Sequence, residues 1–366
     1  MDALIDPEQR RRSQERLRRA ISWEPVDCLP VQVSYPTPED RRYDAQDWNK
    51  DIRGIVWEKE LMLLYRLNQA VRPGALIGDD RKMSIGTLPD CMLIPTLFQA
   101  NLAIKKQSFW MKPAGDRKTV EKLIEDGVPD PLDGWGWKVV SEAEFFLDVL
   151  GRYPNLRECV RVYFADVQGP FDNACEVVGD DFFYWLYDAP DLAAALIDLM
   201  TETQIAWYDF LRTRFADEFR SGRAECSAWG PPANAHLVVD SCECISPEMY
   251  RQFSHPYNER IFRKYGGGSI HFCGKSTQIQ ECILDTTGLV LADIKQYPIG
   301  IPECRRRFDA MRERKVGILY SHGYDSGPVL TKDNAFGLDT GIFQSYGVKT
   351  MEDAKKVLKT VRASAV

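Results

Sequence analysis

Short apolar runs rich in β-branched and aromatic residues recur along the chain, separated by stretches whose apolar positions repeat every three to four residues. The short runs are LPVQVSY (29–35), PGALIG (73–78), VRVYFADVQG (160–169) and AHLVVDS (235–241). They continue at GSIHFCG (268–274), GLVLADI (288–294), VGILYSH (316–322) and TGIFQSYG (340–347). Runs of this length and composition predict strands, and the longer period predicts amphipathic helices. Pro190 opens a helical stretch that carries Leu192, Leu196, Leu199 and Ile205 on one face. In SPEMYRQFSHPYNERIFRKYGGG, Ser246 and Pro247 mark a helix start, Pro256 a bend and Gly266 a stop. Thr350 and Asp353 form a capping box for a last helix. Eight strands alternating with helices predict a (β/α)₈ TIM-like barrel.

Two segments depart from the alternation. Residues 79–159 are too long for a single crossover and include LPDCMLIPTLF, the turn DPLDGWGW and a helix near 139–150. They read as a long insertion between the second and third strands, capping the barrel mouth. Residues 1–28 read as a helical N-terminal segment under the barrel, so that 1–366 forms one domain. The basic run from Arg10 to Arg19 fits the wet side of that helix, with Leu17 and Ile21 inward.

In barrels of this kind, active sites gather where the strands end. The expected strand ends carry Tyr35, Asp79 and Asp80, Asp166 with Gln168 and Asp172, Asp240, His271 with Cys273, Asp293 with Lys295, His322, and Ser345 with Tyr346. A carboxylate closing an apolar strand is costly unless it is paired or wet, which singles out Asp240. Asp166 and Gln168 read as substrate-facing or supporting groups, and Tyr35 as a neighbour of the substrate. Asp293 and Lys295 read as an ion pair.

Composition narrows the chemistry. Hydrophobic residues make up 44% and charged residues 28% of the 366, with a net charge of −7. That charge argues against a nucleic-acid surface. No apolar run approaches the ~20 residues of a membrane span, and the start MDALIDPEQ resembles no targeting segment, so the expected location is the cytoplasm. There the ten cysteines would be reduced and available to metal or thiol chemistry. His271 and Cys273 stand two apart on a strand and therefore point to one side. From spacing alone they could grip a metal or simply pack.

Three stretches carry a family resemblance. RLRRAISWEPVDCLPVQV (16–33), VQGPFDNACEVVG (167–179) and VVDSCECISPEMYRQFSHPY (238–257) resemble the uroporphyrinogen decarboxylase superfamily. The likeness spans roughly 15–365 and is weakest over 79–159. The porphyrin decarboxylases of this superfamily carry an R-Q-A-G-R-Y segment after the first strand. This chain has SYPTPEDRRY there, with only Arg41 and Arg42 as basic replacements. HFCG (271–274) instead matches the H-x-C-G of the zinc-dependent methyltransferases that exchange methyl groups with a corrinoid protein.

What the resemblance implies is a methyltransferase with zinc on His271 and Cys273, a small methylated substrate, and a corrinoid carried by a partner protein. A homodimer is common in the superfamily. The third ligand of that branch is a cysteine near the last strand, where this chain reads QSYG, with Ser345 and Tyr346. Cys242 and Cys244 of DSCEC are candidates to replace it. One of them would leave an open, catalytic-type site, and both would close it. Asp240 would then serve as acceptor or general base, with His322 or Tyr346 orienting or shuttling a proton. Two further functions stay open: a metal-free decarboxylase or lyase led by Asp240, and a non-catalytic barrel that binds a ligand or partner.

Overall fold

The computed structural model describes residues 1–38, 51–89, 91–98, 100–106, 108–113, 116–226, 235–274, 276–295, 302–322 and 328–363. The side chains of residues 294, 295, 302, 303 and 322 lie outside that description. Eleven strands are present among the described residues: β1 (Val31–Ser34), β2 (Ser84–Gly86), β3 (Asn101–Ile104), β4 (Phe109–Lys112), β5 (Arg161–Tyr163), β6 (Ala224–Glu225), β7 (Ala235–Val238), β8 (Gly268–His271), β9 (Leu289–Lys295), β10 (Gly317–His322) and β11 (Ile342–Gly347).

Nine of them form two parallel sheets. One has the order β1-β11-β10-β9-β8-β7 and the other β2-β5-β6, while β3 and β4 make a separate antiparallel pair. Backbone hydrogen bonds connect the two parallel sheets at both margins. Asp80 N donates to Val31 O at 2.9 Å, joining strand starts, and Gly169 N donates to Val238 O at 2.7 Å, joining strand ends. The two sheets therefore run in the same sense, with their C-terminal ends on one side.

The expected strands are present with one exception. PGALIG is a helix, Arg72–Ile77, closed by Gly78 in the left-handed conformation at φ 69°. The second strand is the shorter SIG at 84–86, inside the stretch expected to be an insertion. This moves Asp79 and Asp80 from the strand ends to the strand starts. There Asp79 Oδ2 accepts from Val33 N at 2.9 Å and Asp80 Oδ2 from Val31 N at 3.2 Å. The two carboxylates satisfy amides along the β1 margin, a structural task. Beyond β2 the segment holds the β3–β4 hairpin and helices, including Gly136–Gly151.

The N-terminal helix Pro7–Ile21 is capped by Asp6, whose side chain accepts from Glu8 N and Gln9 N. Its basic run is not simply a wet face. Arg10 is 1% exposed and donates to the backbone oxygens of Asp79 and Arg81, and Arg16 bridges Asp27 and Asp80. The helix thereby seals the strand-start side, and Ile21 lies against Gly317, the first residue of β10. Ser246 caps Pro247–Phe253 through Met249 N, and a break at Ser254 separates it from His255–Tyr265, which Gly266 ends at φ 71°. No described helix is long and apolar enough to cross a membrane.

Candidate metal site

The polar residues of interest sit where β7 and β8 end. Pairing of these strands extends past β7, since Val239 N donates to His271 O at 2.9 Å. Asp240 follows and begins a tight turn, Ser241–Cys244. Its Oδ1 accepts from Cys273 N at 2.5 Å, which ties the two neighbouring strand ends together. Alternation along β8 buries Phe272 and leaves His271 and Cys273 on the opposite side. Cys273 Sγ lies 3.6 Å from His271 Nε2. One donor atom each from Asp240, His271 and Cys273 lies within 4.8 Å of the others.

The other ring nitrogen of His271 is engaged. Nδ1 lies 2.6 Å from Asp293 Oδ2, and the Asp293 side chain, on β9, is buried. The contact is a close ion-pair approach out of hydrogen-bond alignment, and Nε2 is the nitrogen that faces Cys273. A carboxylate beside the second ring nitrogen is a common neighbour of metal-binding imidazoles. The distances suit zinc as well. With Zn–S near 2.3 Å and Zn–N near 2.0–2.1 Å, two tetrahedral ligands stand about 3.6 Å apart.

A second layer of buried polar groups lies behind. His236 Nδ1 is 2.8 Å from Ser269 Oγ, and Nε2 is 3.6 Å from Asp166 Oδ1. Burial, with His271 nearby, pushes the His236 pKa down to about 3, so the ring is neutral. Asp172 is fully buried and accepts from Ser241 N at 2.6 Å. Burial pushes its pKa up to about 8, with Asp240 adding to the effect, so the carboxyl is largely protonated at neutral pH.

Of the residues singled out by sequence, three converge: Asp240, His271 and Cys273. Cys242 and Cys244 are not in that group. Cys242 is buried with Sγ toward Ser254 Oγ (3.5 Å) and Asp172 Oδ2 (3.9 Å), and burial raises its thiol pKa well above the ordinary value. Cys244 is exposed on the turn. Tyr346 stands on β11, in register with Val33 and His322, with β10 and β9 between it and β8.

Tyr35 is buried and donates its hydroxyl to Pro73 O at 2.9 Å. Gln168 is buried beside Asn173, whose Nδ2 donates to the Gln168 carbonyl at 3.1 Å. The His322 side chain, the Lys295 side chain, and Arg41 and Arg42 lie outside the described residues. Asp293 was expected to pair with Lys295; its described partner is His271. The cost argument that singled out Asp240 applies equally to Asp293, a carboxylate in an apolar strand, and would have found it.

Comparison with solved structures places the fold. The chain is similar to a methyltransferase from Methanosarcina mazei, with a TM-score of 0.65 and 16% identity over 96% of this chain and 98% of that one. At that identity the likeness is one of fold. No protein-family model matches the chain, and no curated protein matches it.

Proposed function

We propose that the chain is a zinc-dependent methyltransferase with its metal on Asp240, His271 and Cys273. The carrying observation is the 3.6 Å approach of Cys273 Sγ to His271 Nε2, with Asp240 completing the group. The likeness in fold to a methyltransferase supports the reading. So does the occupied carboxylate of Asp240, which accepts from Cys273 N and is better placed as a third ligand than as a free base. On this reading Asp240 takes the place of the missing cysteine at Tyr346, and Cys242 and Cys244 are not needed.

We also read the two parallel sheets as one closed (β/α)₈ barrel. β5 pairs with β6 through Val162 and Tyr163, and the chain beyond β5 meets β7 through Gly169. β6 and β7 then act as two pieces of one wall, which leaves eight positions around the ring. The hydrogen bond from Asp80 N to Val31 O supports closure at the other margin.

Zinc at this site would hold a substrate thiol as thiolate at neutral pH, which makes its sulfur a nucleophile toward a methyl donor. The protein's own groups set the stage. Asp293 places a buried carboxylate beside Nδ1 of His271, while Nε2 faces Cys273. Asp240 pins the Cys273 backbone, and the neutral Asp172 carboxyl anchors the turn that carries Asp240. Asp166, partly exposed and backed by neutral His236, offers a substrate-facing acceptor. The methyl group would move between a small methylated compound, or a corrinoid on a partner protein, and the acceptor.

Metal analysis of protein purified without chelator tests the reading. The expected result is about one zinc per chain, lost in a His271→Ala/Cys273→Ser variant that still folds. No zinc in the wild type, even after zinc is offered, would remove the proposal.

A further inference from the structure

The strand-start side of the molecule holds a cavity of about 950 Å³ that the proposed chemistry does not use. Its walls carry six arginines, Arg10, Arg11, Arg152, Arg157, Arg161 and Arg223. They also carry three carboxylates, Glu158, Asp217 and Glu218, so the local excess is three positive charges in a chain of net charge −7. Each carboxylate is already engaged: Glu158 by Arg11, Glu218 by Arg223, and Asp217 by Arg220 outside the cavity. Arg152 is turned to Asp148.

Three guanidinium groups remain. Among the described residues, no carboxylate lies within ion-pair reach of Arg157, Arg161 or Arg10. Arg161 makes one bond, to the Glu158 carbonyl at 2.8 Å. Arg10 is the informative member. It is 1% exposed, it spends both terminal nitrogens on backbone carbonyls, and its buried Nε has no partner. The buried carboxylates of Asp79 and Asp80 lie near it and offset part of its charge, and its leftover donor is buried too, so Arg10 adds positive field behind the wall rather than a direct contact.

We infer that this cavity binds a small molecule through a phosphate group, held by Arg157 and Arg161 with Arg10 behind them. Guanidinium forks match the paired oxygens of a phosphate. The volume falls in the range of small-molecule pockets and exceeds what a bare ion needs. Arg161 opens β5 and Arg223 immediately precedes β6, so the cavity lies at the opposite end of the strands from His271 and Cys273. The site is therefore independent of the metal reading and can be tested apart from it.

Isothermal titration of the full chain at low ionic strength, with inorganic phosphate, pyrophosphate and adenosine monophosphate in separate runs, makes the test. At least one probe is expected to bind saturably below about 1 mM, and about tenfold or more weaker to an Arg157→Gln/Arg161→Gln variant. Tighter binding of the nucleotide than of phosphate identifies an organic phosphate as the ligand. Equal affinities identify the free ion. If the double variant fails to fold, Arg157→Glu at an exposed position carries the test alone. Absence of saturable binding by all three probes, or binding untouched by the substitutions, overturns the inference.

Discussion

Asp293 sits in an apolar strand with its carboxylate 2.6 Å from His271 Nδ1, and that contact has a measurable consequence. Replacing it with Asn keeps the shape and removes the charge beside the imidazole. If zinc binds as proposed, its affinity should fall about 10–100-fold in Asp293→Asn, read by competition with a chromogenic chelator, while the folded state survives. Equal affinities would deny Asp293 a positioning role. Asp172 acts on stability instead. Its folded pKa of about 8 lies above the unfolded value near 3.9, so between those limits the folded chain holds a proton the unfolded chain lacks. Stability from this group is full below pH ~4 and declines as pH rises to ~8, with a slope of up to about 1.4 kcal/mol per unit. Asp172→Asn should lose that slope, checked by urea unfolding of the zinc-free chain from pH 5 to 8; parallel curves for both proteins would refute it. At this scale the HFCG pair and Asp240 were legible because unlike polar groups stood at the end of apolar runs. The partners of Asp293 and Asp172 were not, because only the fold sets His271 beside the one and the Ser241 amide beside the other.

Among the elements, β8 is held by the close approach of the preceding helix. A side chain at Gly268 would collide with the Phe262 ring and press on Ala235 O at 2.8 Å, a backbone atom that cannot yield. Gly268→Ala should therefore cost about 1–3 kcal/mol and lower the thermal midpoint by several degrees. An unchanged midpoint would mean that the helix simply shifts aside. Local signals predicted the helix boundaries well: Ser246, Gly266 and the Thr350–Asp353 box all do what their residue types allow. PGALIG failed for a physical reason. A short apolar run has no period, and this one is the last stretch of a helical run that continues from Lys59 through Leu67–Val71 to Ile77, where Gly78 stops it. The true strand, SIG, is too short to have a pattern at all.

For the whole molecule, alternation of strand and helix predicted parallel pairing, and the two parallel sheets bear out that much. A closed ring was not legible, because it would rest on single backbone contacts between residues far apart in the chain. If the sheets form one ring, the amides of Asp80 and Gly169 should exchange with solvent as slowly as those inside β10. Hydrogen exchange read by NMR decides this, and fast exchange at both would mean that the sheets part there. Asp240, His271 and Cys273 come from the ends of just two adjacent strands, and the β1, β10 and β11 side supplies none of the three donors. A metal held as proposed would be gripped from one side only. A designer could then recut the wall that carries Tyr346 to suit a different substrate and leave all three donors untouched.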